Sequence, residues 1–230
     1  MKSLFTILIC TLPIFSETYI SGSVISNSII SNGSMGEKGS GVIISKTIVP
    51  KTSFNKINID TAADIMIKHS SKNSIIIKTD DNLIDKVSIY IKNSTLFIKV
   101  KGNLNPTRGL FINISSQYLK SLTVDGAADI SVENYSLDSL SLNIDGASDI
   151  LFNSNNINKL SINADGSYDI NLLESKVKNA YIKADGSGDI KINVSNYMDV
   201  SVVGTAEVKY VGNPKIKKFV DGVADLTQIR

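Results

Sequence analysis

Hydrophobic residues alternate with polar ones through most of the chain from Phe54 onward. The segments KINID, DIMIKH, SIIIKT and LFINIS each place an apolar residue at every second position. A period of two is typical of β-strands with one buried face. No stretch after residue 54 shows a convincing helical period. The pattern therefore predicts an all-β protein.

Residues 87–100, VSIYIKNSTLFIKV, contain two such strands separated by a short polar stretch. The pattern predicts a β-hairpin with Asn93 and Ser94 in its turn. The strands before residue 119 follow one another at no fixed interval, which indicates an irregular β N-terminal portion.

A six-residue motif recurs in the second half of the chain. Four copies follow one another every twenty residues, two weaker copies follow at intervals of eighteen, and an earlier relative stands alone. A fixed period of this size predicts a β-solenoid with coils of about 20 residues and with repeats from about residue 119. The copies are DTAADI from residue 60, DGAADI from 125, DGASDI from 145, DGSYDI from 165, DGSGDI from 185, VGTAEV from 203 and DGVADL from 221.

Aligning the copies places apolar residues in columns, and stacking the copies would bury like on like. The alternative is an array of antiparallel β-hairpins, because Asp-Gly is a strong hairpin signal. Hairpin loops of three or five residues would pair Leu142 with Ile150 or Phe152, whereas the unbroken columns favour the parallel stack. The columns are Leu122, Leu142, Ile162, Ile182 and Val200; Val124, Ile144, Ala164, Ala184, Val202 and Val220; Ile130, Ile150, Ile170, Ile190, Val208 and Leu226; and Val132, Phe152, Leu172, Ile192 and Tyr210.

The N-terminus has the layout of an export signal. Lys2 precedes an apolar run from Leu4 to Phe15, and Ser16 provides a small residue for cleavage. This pattern predicts a secretory signal peptide over residues 1–16, since the run is too short to span a membrane. Residues 17–41 are rich in Ser, Gly and Asn and predict a leader or linker, which leaves a domain over 42–230. No later stretch predicts a membrane span in the mature chain.

The composition limits which kinds of binding and metal site the chain is expected to have. The chain has 24 Lys and Arg against 22 Asp and Glu, so the near balance gives no electrostatic case for nucleic-acid binding. Cys10 is the only cysteine and lies in the predicted signal peptide, so the mature chain is predicted to lack disulfides and cysteine metal sites. His69 is the only histidine; it is predicted to be exposed, and one imidazole makes no metal site.

The repeated motif contains a glycine column and two acidic columns. We interpret the glycines as structural turn residues at a corner that needs a positive φ. They are Gly126, Gly146, Gly166, Gly186, Gly204 and Gly222.

Three interpretations of the aspartates stand side by side. Their carboxylates could accept hydrogen bonds from the N–H groups of their own turns, hold calcium between coils, or form an acid/base pair. The acidic pattern recurs in every copy of the motif, which argues against catalysis, because an enzyme normally has a single catalytic pair at one site. The candidate metal ligands are Asp125, Asp129, Asp145, Asp149, Asp165, Asp169, Asp185 and Asp189.

Two further predictions concern single positions. Tyr168, Tyr181, Tyr197 and Tyr210 share no column and are predicted to be scattered surface or edge residues, two of which could form a small patch. Asn155 is predicted to be a loop residue at which Asp does little harm.

Four features carry a resemblance to a known family: the DGSGDI-type turn, GSGVIISKTIVPKTSFNKINIDTAADIMI, DDNLIDKVSIYIKNSTLFIKV and the run from LFINIS to LKSLTVDGAADI. Together they resemble the head GIN domain of putative auto-transporter adhesins. The resemblance covers about residues 39–228. It implies an exported bacterial envelope protein with a right-handed β-helix-like fold, and it makes residues 42–230 a GIN-like β-solenoid domain. The family is one of unknown function, so the resemblance implies no activity.

Together these features favour an exported protein, periplasmic or at the cell surface, that is a structural or adhesive binding scaffold and not an enzyme. The expected partner is a glycan, a cell-surface component or an envelope component. No cofactor is expected, with calcium left open. The alternatives are a calcium-dependent binding module and a polysaccharide-active β-helix enzyme. An uncapped solenoid end invites stacking, so a dimer is a further option.

Overall fold

A computed structural model describes residues 36–229. Within this range the chain forms fourteen strands and one short 3-10 turn, Ile84–Lys86, with no α-helix, and the prediction of an all-β protein is confirmed. The strands are β1 Glu37–Lys38, β2 Ile43–Ile48, β3 Lys56–Asp60, β4 Ala63–His69, β5 Ser74–Asp80, β6 Val87–Lys92, β7 Thr95–Val100, β8 Leu104–Asn105, β9 Phe111–Ser116, β10 Ser121–Val124, β11 Ala127–Glu133, β12 Ser136–Asn153, β13 Asn156–Val211 and β14 Lys215–Gln228.

Successive copies of the motif lie side by side in parallel. β11 pairs with β12 from Ala127↔Ala147 to Glu133↔Asn153, and β12 pairs with β13 at the same offset of twenty residues. β14 pairs with β13 at an offset of eighteen, as in Val202↔Val220. Residues that share a repeat position are therefore neighbours in space. The hairpin array considered as the alternative is not seen in the pairs that join β10 to β14.

The N-terminal portion mixes parallel and antiparallel pairs. β3 and β4 pair in parallel with β10 and β11, so the lone DTAADI copy joins the same stack. β2, β5 and β9 pair antiparallel with one another in that order. β6 and β7 form the predicted hairpin, in which Lys92 pairs with Thr95. Asn93 and Ser94 occupy its turn with φ of 51° and 59°, which confirms that prediction.

The predicted apolar columns form the core. From β10 to the end of β13 their members are buried, apart from Tyr210, which is half-buried. In β14 the column residues are less buried. Val220 and Leu226 are half-buried, and Lys218 takes the position beside Val200. Within residues 36–229 no helix has the length and apolar character needed to cross a membrane.

Asn155 corrects a prediction, because it is buried and not a tolerant loop residue. Its Nδ2 donates to the Val132 carbonyl at 2.8 Å, and its Oδ1 accepts from the Tyr135 N–H at 2.8 Å. One repeat later, Ser175 Oγ lies 3.2 Å from Asn155 Nδ2. The side chain therefore satisfies backbone groups of the preceding repeat. Sequence pattern missed this position, since a polar residue between strands is usually solvated.

Tyr135 extends this buried polar cluster. Its hydroxyl lies 2.6 Å from Ser116 Oγ, and His69 packs edge-on against its ring with 5.6 Å between centroids. Burial raises the pKa of the Tyr135 phenol to about 12, and the Ser116 hydrogen bond lowers it only partly. His69 itself is exposed, as predicted.

Candidate binding face

The strands that precede the repeated corner present one continuous row of outward side chains. Strand alternation directs the residue between two buried columns to solvent. Pairing then aligns these residues across β6, β7, β3, β10, β12 and β13. We call this surface the polar face. Its central row is Tyr90, Phe97, Asn58, Thr123, Asn143 and Asn163.

The two acidic columns flank the corner at the edge of the polar face. The first column holds Asp125, Asp145, Asp165 and Asp185, all exposed. The second holds Asp129, Asp149, Asp169 and Asp189, of which Asp189 is half-buried. Asp64 joins the second column by pairing with Asp129. Burial raises the pKa of the Asp64 carboxyl, and the neighbouring Asp129 charge raises it further.

The turn amides do not bond to these aspartates, which corrects the hydrogen-bonding interpretation. Among residues 36–229 no backbone N–H donates to any of the eight candidate carboxylates. The parallel ladder continues through the corner and uses the amides instead. Ala147 N–H, for example, donates to the Gly126 carbonyl at 3.2 Å. The turn amides are therefore already occupied by the parallel ladder and are not free to bind the carboxylates.

Within residues 36–229, side-chain partners occur at three positions along the acidic columns. Asp60 pairs with Lys99 at 2.8 Å, Asp125 accepts from Asn58 Nδ2 at 2.8 Å, and Glu207 pairs with Lys209 at 2.7 Å. The carboxylates of Asp129, Asp145, Asp149, Asp165, Asp169, Asp185 and Asp189 have no hydrogen bond or ion pair with a side chain of the described part of the chain.

Stacked carboxylates of like charge repel one another. At a strand spacing of roughly 4.8 Å, each neighbouring pair costs about 0.9 kcal/mol in bulk water. Because the columns are largely exposed, water hydrates these carboxylates and screens the repulsion.

The corner glycines stack directly on one another. Gly166 has a φ of +98°, and a Cβ at this position would overlap the carbonyl oxygen of Gly146. Gly126 lacks a positive φ, yet a Cβ there would lie only 2.7 Å from the Thr61 carbonyl oxygen. Close approach of consecutive turns is thus a second reason for glycine in this column. Gly146, Gly186, Gly204 and Gly222 have positive φ and the same overlap or near-overlap with the preceding turn.

Tyr168 corrects a second prediction, because it is buried inside the corner and not a surface residue. A Cβ on Gly188 would overlap both the Tyr168 ring and its carbonyl oxygen, so the second glycine of DGSGDI makes room for this ring. The Tyr168 hydroxyl is buried without a hydrogen-bond partner, and so is Ser148 Oγ at the neighbouring repeat position. Burial raises the pKa of the Tyr168 phenol, and the charges of Asp185, Asp165 and Asp189 add to the effect.

A groove of about 280 Å³ runs along the first acidic column. Asn163 Nδ2 donates to Asn143 Oδ1 at 3.0 Å, and Asn143 Nδ2 donates to Ser141 Oγ at 3.3 Å, so amides form its polar wall. Lys183 is the only cation among the lining residues. The groove is lined by Asp125, Asn143, Ile144, Asp145, Asn163, Ala164, Asp165, Lys183 and Asp185.

Aromatic pairs lie on the polar face. Tyr181 and Tyr197 have ring centroids 5.9 Å apart, and Lys159 Nζ lies 5.0 Å from the centre of the Tyr181 ring. This contact confirms that two of the tyrosines form a small patch. Tyr90 and Phe97 stack at 5.0 Å in the hairpin. The second pair was not predicted, although the hairpin register itself places the two residues opposite each other.

No group of three His, Cys, Asp or Glu side chains suited to a metal ion occurs within residues 36–229. Even spacing along the stack explains this, because each carboxylate is separated from its neighbour by one strand and the groups do not converge.

Comparison with known proteins identifies the family. Residues 53–214 match the family described as "Putative auto-transporter adhesin, head GIN domain". The chain belongs to this family. The resemblance seen in the sequence is thereby confirmed. No curated protein sequence matches the chain.

Several solved structures share the fold. A putative adhesin from Bacteroides fragilis NCTC 9343 has a TM-score of 0.70 at 24% identity, over 84% of this chain and 100% of its own. A putative lipid binding protein from Parabacteroides distasonis ATCC 8503 has a TM-score of 0.59 at 18% identity, over 84% and 99%. A putative adhesin from Parabacteroides merdae ATCC 43184 has a TM-score of 0.55 at 20% identity, over 84% and 99%.

Proposed function

We propose that this GIN-domain protein is an exported envelope or surface protein that acts as an adhesive binding scaffold. Its stacked copies form a β-solenoid of about 20-residue coils, and the polar face of that solenoid is the binding surface. Membership of a family described as adhesins supports this role. The names of the similar structures, adhesin and lipid binding protein, point to binding and not to catalysis.

The observation that carries the proposal is the polar face itself. Backbone pairing holds each outward side chain beside its counterpart in the next coil, so the face is preorganised. Preorganised groups lose little conformational entropy on binding. Ser, Thr and Asn side chains recur along the face beside the aspartates, which suits a hydrophilic partner such as a glycan or another envelope component. A calcium-dependent module and a polysaccharide-active enzyme gain no support from the family or from the arrangement of the carboxylates.

Export and attachment can be tested together. The predicted signal peptide and most of the leader lie outside the described residues and stay predictions. We expect mass spectrometry of the native protein to find an N-terminus near Glu17. We also expect the purified protein to bind intact cells or isolated envelopes. An intact Met1 in a soluble cytoplasmic fraction would contradict export. Absence of binding to any cell or envelope preparation would contradict the adhesive role.

A further inference from the structure

Strand β14 is paired along one side only. β13 lies against it from Tyr197↔Lys215 to Tyr210↔Gln228, and no other strand within residues 36–229 pairs with it. Its free side is fourteen residues long. Such an edge presents a row of unpaired N–H and C=O groups, which is a template for a further strand.

The same strand leaves apolar side chains in contact with water. Met198 is buried in β13, whereas Ile216, which pairs with it, is exposed. On the outward side, Phe219 is 60% exposed and Val223 is 75% exposed. Apolar side chains grouped along an open strand edge are typical of a surface that associates with another chain.

The charges of β14 are divided along its length. Lys215, Lys217 and Lys218 lie among its first four residues, whereas its acidic residues, Asp221 and Asp225, come later. In an antiparallel pair of two such strands, the basic part of each strand lies beside the acidic part of the other. The strand is therefore complementary in charge to a second copy of itself.

One antiparallel register satisfies the charges and the apolar residues together. When Lys217 is opposite Asp225 of the second copy, Phe219 is opposite Val223. All four side chains are exposed, and they alternate with the inward residues of the strand. A shift of two residues in either direction would instead place Phe219 opposite Asp221 or Asp225.

We propose that β14 pairs antiparallel with β14 of a second copy of this chain, in the register that places Lys217 opposite Asp225. Ile216 and Leu226 of the two copies then cover each other on the inward side. Because both copies use the same edge, the pairing closes at two copies and does not continue into a filament. This inference goes beyond the proposed adhesive function and does not depend on it.

Sedimentation velocity of the purified full protein over a range of concentrations tests the assembly. We expect a reversible equilibrium between monomer and dimer, with no larger species. Phe219→Ser should weaken dimerisation at least about ten-fold, because pairing removes this side chain from water. The matched control is Tyr118→Ser, which removes an aromatic side chain of 56% exposure outside β14 and should leave the equilibrium unchanged.

Charge reversal tests the register. Lys217→Glu and Asp225→Lys should each weaken dimerisation about ten-fold, because each change creates two contacts of like charge in the dimer. An equimolar mixture of these two variants should dimerise as tightly as wild type, since opposite charges face each other again in the mixed dimer. Lys215→Glu is the control: it makes the same change in net charge opposite Thr227 and should alter affinity less than about two-fold. Melting curves check folding, because Lys217 also pairs with Asp199 at 3.1 Å.

Three outcomes would overturn the inference. A monomer at every concentration would mean that the edge of β14 recruits no second copy. Assemblies that keep growing with concentration would indicate head-to-tail pairing, which the two-fold arrangement forbids. A dimer that withstands Phe219→Ser, or that is not restored by mixing the two charge variants, would place the interface elsewhere. All three leave the adhesive function to be tested by binding to cells.

Discussion

Gly166→Ala is expected to lower the free energy of unfolding by about 2–5 kcal/mol. The positive φ at this position costs an L-residue roughly 1–2 kcal/mol. Overlap of the new Cβ with the Gly146 carbonyl adds roughly 1–3 kcal/mol of overpacking, because the two turns are paired through their backbones and cannot move apart freely. Urea unfolding followed by circular dichroism measures the loss.

Gly102→Ala is the matched control for this change. Gly102 has a φ of +76°, but a Cβ there would meet nothing within 4 Å. Its substitution should therefore cost only the backbone strain, roughly 1–2 kcal/mol. If both variants lost the same stability, the stacking of one corner on the next would not be the reason for the glycine column.

Asn155→Asp is expected to cost at least about 3 kcal/mol, because it places a carboxylate where an amide now donates to buried carbonyls. The Val132 carbonyl would lose its donor and face a negative charge instead. The damage should shrink at low pH, where the introduced carboxyl is protonated and regains one O–H donor. Thermal melts at neutral and acidic pH measure both effects.

Asn156→Asp serves as the neighbouring control. Asn156 is exposed, and its side chain makes no hydrogen bond with residues 36–229. The same substitution there should change the free energy of unfolding by no more than about 0.5 kcal/mol. Equal damage at the two positions would mean that Asn155 is not the buried, hydrogen-bonded residue described above.

The apolar columns could be predicted from the sequence, because the copies of a repeat can be aligned with one another without knowledge of the fold. Once DGASDI is placed beside DGSYDI, residues such as Leu142 and Ile162 must share an environment, whatever the fold. The hairpin of residues 87–100 was equally accessible, since its strands and its turn lie within one short segment. Local pattern was sufficient in both cases.

The polar groups inside the corners could not be predicted in the same way. Asn155 and Tyr168 stand among turn residues, where polar side chains are normally solvated. Both are buried, and residues twenty positions away along the chain contact them. The expectation that aspartates accept hydrogen bonds from their own turns failed for a related reason. That interpretation treats each turn as isolated, whereas the amides here are paired with the preceding coil.

Only some of the residues of the candidate binding face could be predicted from the sequence. The acidic columns were apparent from the repeat, but the groove is also lined by Asn143, Asn163 and Lys183, which share one outward repeat position. Which outward column borders which groove depends on the width and bend of the corner. Those quantities follow from three-dimensional packing and have no signature in a period of two or of twenty.

Disulfide trapping tests the stacked arrangement most directly. In a Cys10→Ser background, Ser141→Cys with Ser161→Cys joins two outward positions that are in register in neighbouring coils. Parallel strands bring such Cα atoms within the range that a disulfide spans, roughly 4.4–6.8 Å, so this pair should oxidise readily and raise the melting temperature. The pair Ser141→Cys with Leu151→Cys would be opposed only in a hairpin and should remain reduced. Rapid cross-linking of the second pair, with none of the first, would contradict the stack on which the binding face depends.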